Sequence, residues 1–284
     1  MSRLTVNLRV VAYSLAAWVF AALYLLPFIW MIGTSFKPIG EWGLPTLIPY
    51  EATLRNYYEI LVSGGVYGVR GHFPPIIRYL TNSLTVSIVI ALVTSLLGAL
   101  TAYGIVRFMA GGTTFANWIL SLRMIPPVVI LYPLVVMTKT IGLYNSIPGL
   151  ILVYPVITLP ITTWFMIGTF KSIPRETEEA ALIDGCTHFQ AFYKISLPQA
   201  SIGLAASAIF AFIFSWSEFL IPLLLAPGEQ AMPLTVFAGY FSNQYGILWG
   251  PLSAAAVITA IPVTATAIII QKYLIRGLTL GFVK

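Results

Sequence analysis

The segment with the most informative residue types is 179–198, which reads EAALIDGCTHFQAFYKISLP and lies between two long apolar stretches. A helix is predicted to begin at Pro174, because proline suits a first helical turn and carboxylates favour the positive helix end. These carboxylates are Glu176, Glu178 and Glu179. Gly185 can end this helix in a left-handed conformation. Thr187 and Gln190 have the spacing of a capping box that starts a second helix, so the segment is predicted to be a compact helix–turn–helix.

This segment offers a binding surface and no reactive groups. Ala180 and Ala181 are small enough to let another molecule approach closely. Phe189, Phe192 and Ile195 recur every three residues, which favours one apolar stripe on the second helix. Such a stripe at the membrane–water boundary indicates either a docking site for a partner or an amphipathic connector that lies on the lipid surface. The residues alone leave both alternatives open.

The sequence lacks the patterns of catalysis, phosphate binding and metal binding. No GxxxxGK[ST] phosphate-binding loop occurs, and the nearest fragment, residues 168–172, lacks its spacing and leading glycine. No Ser/His/Asp set indicates an enzyme, and His72, His188 and Cys186 do not make a convincing metal site. The 15 Lys and Arg residues are scattered, which argues against nucleic acid as a partner. We therefore expect no catalytic residue, no metal and no cofactor on this chain.

The composition indicates an integral membrane protein. Apolar residues make up 58% of the 284 residues and charged residues 8%, whereas soluble domains average about 45–50% and about 25%. Six apolar segments are each longer than the roughly 20 residues that span a hydrocarbon core. They are predicted to be helices, because the backbone must satisfy its own hydrogen bonds in lipid. The six segments cover about residues 11–33, 81–105, 116–138, 145–169, 200–225 and 251–271.

The basic residues predict the orientation in the membrane. With a cytoplasmic N-terminus, nine Lys and Arg residues lie in inside segments and five lie outside, while Arg123 falls within the third helix. The positive-inside rule therefore predicts a multi-pass plasma-membrane protein with both termini and the loop 171–199 in the cytoplasm. The connections 34–80 and 226–250 are then external. Arg123 is near the cytoplasmic end of its helix, where it can snorkel to the lipid headgroups.

The spacing of the 179–198 segment resembles the EAA loop of ATP-binding-cassette (ABC) importer permeases. Its signature positions are filled by Glu179, Ala180, Ala181, Gly185, Ile195, Leu197 and Pro198. The resemblance implies that these residues, together with Asp184, form a coupling loop that docks into a groove on an ATPase subunit. Cys186 stands where alanine is common in the family, but it occupies no signature position.

Other segments resemble the carbohydrate importers within this family. They are Asn56-Tyr57, Ala102-Tyr103 with Arg107-Phe108, residues 124–127, 216–219 and 249–256, and the C-terminal residues 276–284. The last segment resembles the tail of the second permease subunit of maltose-type importers, which reaches between the two ATPase subunits. The implied tail contacts are Gly277, Leu278, Thr279 and Gly281. The resemblance covers roughly residues 10–284 and implies a single domain, 1–284, with a cytoplasmic tail at 272–284. The external segment 63–77 is longer than the usual spacer.

Two regions have candidate roles in solute handling. Glu218 lies in an apolar run, where facing lipid costs on the order of a few kcal/mol, so it is expected to line the translocation route or to make a structural hydrogen bond to the partner permease. Trp216 and Phe219 could stack on a sugar ring, or could serve helix packing or interfacial anchoring. By resemblance, Gly239 to Phe241 (Gly239, Tyr240, Phe241) reach into the sugar cleft of a binding protein. The alternative is an ordered loop that covers the pore mouth.

The resemblance implies an all-α integral membrane protein with six transmembrane helices and the type I ABC importer permease fold. Its implied function is sugar import, with a second, non-identical permease, two ATPase subunits that hold ATP and Mg, and an extracytoplasmic sugar-binding protein. The alternatives are a permease of the same architecture for another solute and an ion-driven secondary carrier. Such a carrier needs coupling-ion ligands at mid-membrane, often in inverted repeats. Glu218 is the candidate ligand, and we find no internal repeat around it.

Overall fold

The computed structural model describes residues 8–63, 75–243 and 246–281, so most of the external segment 63–77 lies outside the described residues. The described chain is mainly helical, with one short antiparallel β-hairpin. Its helices are α1 (Leu8–Ser35), α2 (Arg55–Tyr58), α3 (Ile76–Phe108), α4 (Gly112–Ser121), α5 (Pro127–Thr140), α6 (Ile147–Val153), α7 (Pro155–Ser172), α8 (Glu176–Ile183), α9 (His188–Ala191), α10 (Leu197–Gln199), α11 (Ser201–Ser217), α12 (Leu220–Leu225), α13 (Leu234–Gly239) and α14 (Trp249–Gly281). The strands are β1 (Ser242–Asn243) and β2 (Gly246–Ile247). Single 3₁₀ turns occupy Ile39–Glu41 and Leu122–Met124, and π-helical turns occupy Glu59–Ser63 and Phe192–Ser196.

By length and composition, the described residues contain three single helices that can cross a membrane and three bent pairs that raise the number to six. The single helices are Val10–Ser35, Ile76–Phe108 and Trp249–Ile269. The bent pairs are Thr114–Met124 with Pro127–Thr140, Ile147–Val153 with Pro155–Ser172, and His188–Gln199 with Ser201–Ser217. Helix α14 runs on through Gly281, so the described part of the predicted tail is helical, and residues 282–284 lie outside the described residues.

The bends fall where the sequence interrupts the helical hydrogen bonding. The pair that contains α4 and α5 bends by 91°. Its break is at Ile125 and Pro126, which have extended ψ angles of 122° and 129° because each precedes a proline. Helices α6 and α7 bend by 45° where Pro155 begins α7, and His188–Gln199 meets α11 at 78°. Helix α11 ends at Ser217, and Glu218 is extended (ψ 131°) before α12 begins.

The chain divides into two compact units, one of residues 1–75 with 238–258 and the other of residues 76–237 with 259–284. The first unit is organised around Lys37, which is fully buried. Its Nζ donates to the carbonyl oxygens of Leu44 and Thr46, each at 2.8 Å, and lies 5.7 Å from the Trp30 ring centroid. Burial lowers the pKa of Lys37, and the Glu41 carboxylate opposes this shift. These bonds fold residues 37–46 into a fixed loop directly after α1.

Helix α1 of this first unit has no buried face. None of the apolar window that qualifies it as a span is buried, and Trp18 and Phe20 are 77% and 73% exposed. A helix that is apolar all round is stable only in lipid or against another apolar surface. The exposed surface of α1 therefore has to be covered by the bilayer or by a partner.

The second unit is built on a close contact between α3 and α7. A Cβ atom placed on Gly98 of α3 would lie 2.7 Å from Thr162 Oγ1 and 3.0 Å from the Thr162 carbonyl carbon. The same hydroxyl donates to the carbonyl oxygen of Thr94 at 2.8 Å. Helix α11 meets α7 in the same way, since Gly203 leaves no room for a Cβ beside Thr169. Small residues are the usual means of bringing membrane helices this close.

This contact gives the first prediction. Gly98→Ala forces Thr162 and the α7 backbone outward, so we expect a loss of about 1–3 kcal/mol, as for other overpacked sites. The control is Gly168→Ala on α7, because a Cβ there meets nothing within 4 Å. That control should be neutral or slightly stabilising, because alanine favours the helix by up to about 1 kcal/mol. Thermal unfolding in one detergent compares the two variants, and equal melting temperatures would contradict the packing argument.

Candidate functional site

The predicted helix–turn–helix between the fourth and fifth spans is present. Helix α8 ends at Ile183, and Gly185, two residues further, has the left-handed φ of +89° that was predicted for it. The Gly185 N–H donates to the Leu182 carbonyl and the Cys186 N–H donates to the Ala181 carbonyl, each at 3.0 Å. This pair of bonds is a Schellman motif, which satisfies the carbonyl groups left free at the end of a helix. The turn is therefore set by the backbone conformation of one glycine.

The second helix begins with the predicted capping box. The Thr187 hydroxyl accepts the Gln190 N–H at 3.2 Å, and the Gln190 side chain accepts the Thr187 N–H at 2.9 Å. Helix α9 then widens into the π-helical turn Phe192–Ser196 before α10 starts with Pro198 in its first turn. Proline has no N–H for the α-helical bond to residue 194, and its ring crowds that carbonyl. The wider turn lets the chain continue into α10 without that bond.

A buried ion pair fastens this loop to the end of α3. Glu178 is 6% exposed. Its Oε1 accepts the Nε–H of Arg107 at 2.7 Å and lies 2.7 Å from Arg107 Nη2, and its Oε2 accepts the Tyr103 hydroxyl at 3.0 Å. Arg107 Nη2 also donates to the Ile173 carbonyl at 3.0 Å, and Arg175 Nη2 donates to the Val106 carbonyl at 2.9 Å. The start of α8 is thus held to the last turn of α3 by charge-assisted bonds in a low-dielectric setting.

The sequence alone assigned no role to this ion pair. Tyr103 and Arg107 were singled out there only as parts of resembling segments, and Glu178 only as one of three carboxylates at a helix start. The pair could have been predicted from the small number of charged residues in the chain. In a chain with 8% charged residues, an arginine that ends a span and a carboxylate that opens the following loop are natural partners.

The outer face of the loop is exposed and partly apolar. Ile183 at the end of α8 is 86% exposed, and Glu179, Ala180, Asp184 and Gly185 around it are also exposed. Phe189 on α9 is 66% exposed. We call these six residues the loop tip. An isoleucine exposed to this extent at the end of a rigidly held turn is a typical anchor for a partner protein.

The remaining signature residues face inward or to the side. Ala181 is 7% exposed, Ile195 and Leu197 are half-buried, and Pro198 is exposed. The predicted single apolar stripe is wrong. Phe192 is 5% exposed and lies 4.8 Å, centroid to centroid, from the Tyr103 ring, while Phe189 points outward. The two rings are neighbours, with centroids 6.4 Å apart, but Phe192 packs into the interior while Phe189 is left at the surface.

Glu218 lies at the break between α11 and α12. Its Oε1 accepts the N–H groups of Leu220 at 2.9 Å and Ile221 at 3.2 Å, and its own carbonyl accepts the Thr235 hydroxyl at 2.9 Å. These bonds satisfy donors that are otherwise free at a helix start. Within this chain the carboxylate of Glu218 therefore acts as a hydrogen-bond acceptor for the start of α12.

Trp216 needs a correction as a candidate for stacking on a sugar. Its ring is 2% exposed, it stacks on Phe212 with centroids 5.7 Å apart, and its Nε1 donates to the Thr259 carbonyl at 3.1 Å. The ring is thus a packing element of the second unit. Phe219 is 40% exposed, so its ring remains accessible.

Arg123 turns inward, contrary to the expectation that it snorkels. It lies in the 3₁₀ turn at the 91° bend. Its guanidinium is 4.4 Å from the Phe214 ring centroid, and its Nη1 donates to the Ile157 carbonyl at 3.1 Å. A cation–π contact and a freed carbonyl are common partners for a charge inside a helix bundle. Arg123 therefore links the bend to α7 and α11.

The three predicted external contact residues differ in exposure. Gly239 ends α13, and Tyr240 is 44% exposed. Phe241 is 3% exposed, and its carbonyl accepts the Leu248 N–H at 2.9 Å next to the β-hairpin. Phe241 therefore anchors the loop and cannot itself reach another protein, which corrects that part of the prediction. The predicted tail residues Gly277, Leu278, Thr279 and Gly281 lie in the last turns of α14.

Comparison with known proteins now identifies the family. Residues 95–280 match the family described as binding-protein-dependent transport system inner membrane component. A trehalose/maltose transport system permease protein of Thermococcus litoralis is 32% identical over 272 residues, which cover 95% of each chain. A trehalose transport system permease protein of Mycobacterium tuberculosis is 32% identical over 263 residues, which cover 92% of each chain.

A solved structure has the same fold. It is the crystal structure of a bacterial ABC transporter that imports the acidic polysaccharide alginate, and one of its chains matches with a TM-score of 0.74 at 20% identity. The match covers 96% of this chain and 98% of that chain.

This chain belongs to the family of inner membrane components of binding-protein-dependent transport systems. The predicted type I ABC importer permease fold is confirmed. The chain is a transport subunit and not an enzyme, and ATP hydrolysis takes place on a partner ATPase. Members of the family act with a periplasmic binding protein and partner ABC components.

The ion pair gives the second prediction. Glu178→Ala leaves the Arg107 guanidinium buried without its counterion, and breaking such a pair costs about 3–5 kcal/mol. The control is Glu176→Ala on the same helix, where the side chain is exposed and the expected change is within about 0.5 kcal/mol. Melting temperatures in detergent measure both effects. If Glu178→Ala unfolds at the same temperature as Glu176→Ala, the ion pair does not hold the loop.

Proposed function

We propose that this chain is a permease subunit of an ATP-driven ABC importer that moves a sugar, delivered by an extracytoplasmic binding protein, through the membrane by alternating access. The observation that carries the proposal is the loop tip, an exposed surface with apolar Ile183 and Phe189 on a loop that the Glu178–Arg107 pair holds rigidly to α3. The class of solute is supported by the relatives, which are named as trehalose and trehalose/maltose transport permeases.

The loop tip is the proposed ATPase contact. Glu179, Ala180, Asp184 and Gly185 surround Ile183 on its exposed side, and these are the positions that resemble the docking surface of the EAA loop. Ala181, Ile195, Leu197 and Pro198 keep the backbone of the loop in place. When the two ATPase subunits close on ATP and Mg, a groove that grips the tip pulls on α8. The ion pair then passes this force to α3.

The rest of the assembly follows from surfaces that this chain leaves uncovered. A second, non-identical permease is proposed to cover part of α1, whose apolar surface is exposed all round. Two ATPase subunits lie on the side of the loop tip, and residues Gly277, Leu278, Thr279 and Gly281 are the proposed tail contacts to them. On the other side of the membrane, Gly239 and Tyr240 are the proposed contacts with the binding protein.

The proposed orientation puts both termini and the loop tip in the cytoplasm of a plasma-membrane protein. The support is the excess of basic residues on that side, nine against five.

Phe219, which is 40% exposed, is the proposed pathway residue of the three that the sequence suggested.

Substitution of Ile183 tests the docking proposal. Ile183→Asp puts a charge into an apolar contact, so we expect at least about a tenfold loss of ATPase binding, which corresponds to about 1.4 kcal/mol. The variant should keep the melting temperature of the wild type because the side chain is 86% exposed. The measurement is the amount of ATPase that co-purifies with the tagged chain, together with sugar uptake into vesicles.

The matched control is Ile48→Asp. Ile48 is 77% exposed and lies in the connection 34–80, on the opposite side of the membrane in the proposed orientation. This variant should retain the ATPase. If Ile183→Asp also retains the full amount, the loop tip is only a connector between spans.

A further prediction separates the two roles of Glu218. Glu218→Gln keeps an oxygen that can accept the Leu220 and Ile221 N–H groups, whereas Glu218→Ala removes the acceptor and should cost about 0.5–2 kcal/mol, as for other lost helix caps. We expect near-normal sugar uptake for Glu218→Gln and reduced thermal stability for Glu218→Ala. Loss of uptake in a fully assembled Glu218→Gln complex would instead show that the charge lines the pathway.

A further inference from the structure

A cavity of about 680 Å³ opens where α3 and α7 end, beside the starts of α4 and α8. Apolar side chains line part of it, among them Ile105 on α3 and Ile167 on α7. The family assignment gives this cavity no role. It borders the same residues, 173–176, that connect α7 to the coupling loop.

Cationic groups line another part of this cavity. Lys171 on the last turn of α7 is exposed and forms no hydrogen bond or ion pair with any described residue. Arg175 uses Nη2 for the Val106 carbonyl, which leaves its other N–H groups available. Arg107 also lines the cavity, but its charge is balanced by Glu178. Glu176 adds one carboxylate, so two available cations face one anion.

Helix α4, which also borders the cavity, adds a second electrostatic attraction for an anion. Helix α4 begins at Gly112, which lines the cavity, and no side chain caps this helix start. The N–H groups of a first turn carry a partial positive charge and attract anions. The Gly112 N–H itself donates to the Met109 carbonyl at 2.9 Å. A negatively charged group in the cavity would therefore meet Lys171 and Arg175 directly and the start of α4 through its dipole field.

The depth of the cavity matches the headgroup layer of a bilayer. Helix α3 has 33 residues, which at about 1.5 Å per residue is roughly 50 Å long. The hydrocarbon core is only about 30 Å thick, so the last turns of α3 extend into the headgroup region. Basic pockets between transmembrane helices at this level suit anionic lipid headgroups.

We propose that this cavity binds the phosphate of one anionic phospholipid from the leaflet on the side of the coupling loop. Lys171 and Arg175 hold the phosphate, and Ile105 and Ile167 contact the glycerol and the first part of the acyl chains. The site itself requires only the membrane placement of the chain. Its consequence rests on the proposed function. A lipid bound against residues 173–176 restricts the movement of the segment that connects α7 to the coupling loop. The efficiency with which ATP hydrolysis is coupled to transport then depends on the lipid composition.

The test uses the assembled transporter, reconstituted in nanodiscs of phosphatidylcholine alone or with phosphatidylglycerol, and native mass spectrometry of the complex after extraction. We expect one phosphatidylglycerol to remain bound per copy of this chain, and its addition to raise the melting temperature by several degrees. Lys171→Gln should lose most of the retained lipid without unfolding the chain, because Lys171 has no described partner to lose. Lys171→Gln/Arg175→Gln should lose the rest.

The control is Lys194→Gln, because Lys194 is an exposed lysine of the coupling loop that does not line the cavity. This variant should keep the lipid. Equal retention of phosphatidylcholine and phosphatidylglycerol, or equal retention by wild type and Lys171→Gln, would overturn the site. A melting-temperature rise with inorganic phosphate alone would also overturn the lipid assignment, in favour of a free anion. The import function is tested separately by Ile183→Asp, so failure of one proposal leaves the other standing.

Discussion

The buried carboxylate of Glu178 is the interaction on which the rest of this structure depends. An unpaired carboxylate at 6% exposure would be strongly destabilising, and here Arg107 and Tyr103 supply three charge-assisted donor contacts to it. Because both donors belong to the last turns of α3, the first helix of the loop cannot shift without α3. The outer side of the loop makes no such bonds and leaves Ile183 exposed. Helix α8 is thus attached rigidly to α3 on one side and leaves the apolar loop tip uncovered on the other.

In the broken membrane spans, too, charged side chains form hydrogen bonds with groups inside the protein. Every helix break within lipid frees backbone groups that water cannot reach. At one break Glu218 satisfies two N–H groups at the start of α12. At another, Arg123 donates to the Ile157 carbonyl of the neighbouring helix α7. At both of these breaks an ionisable side chain therefore serves first as a hydrogen-bonding group.

Features governed by local chain chemistry could be predicted from the sequence, and features governed by tertiary contacts could not. Gly185 and the Thr187–Gln190 box were predicted correctly because turns and caps depend on neighbouring residues. Phe192 and Phe241 were assigned to the surface, but both are buried, since their spacing does not tell which face the rest of the protein covers. The breaks at Ile125–Pro126 and at Pro155 likewise follow from local proline chemistry, whereas their angles of 91° and 45° cannot be derived from neighbouring residues.

The 78° bend between His188–Gln199 and α11 has a mechanical consequence. The helical segment His188–Gln199 and helix α11 are thus joined nearly at a right angle. A displacement of the loop along its own axis is then almost perpendicular to α11, so it tilts that helix sideways and hardly slides it lengthwise. The bend falls at Ala200, between α10 and α11, just after the π-helical turn Phe192–Ser196 and Pro198. At this angle the loop and α11 share almost no common direction, so an axial movement of one is a sideways movement for the other.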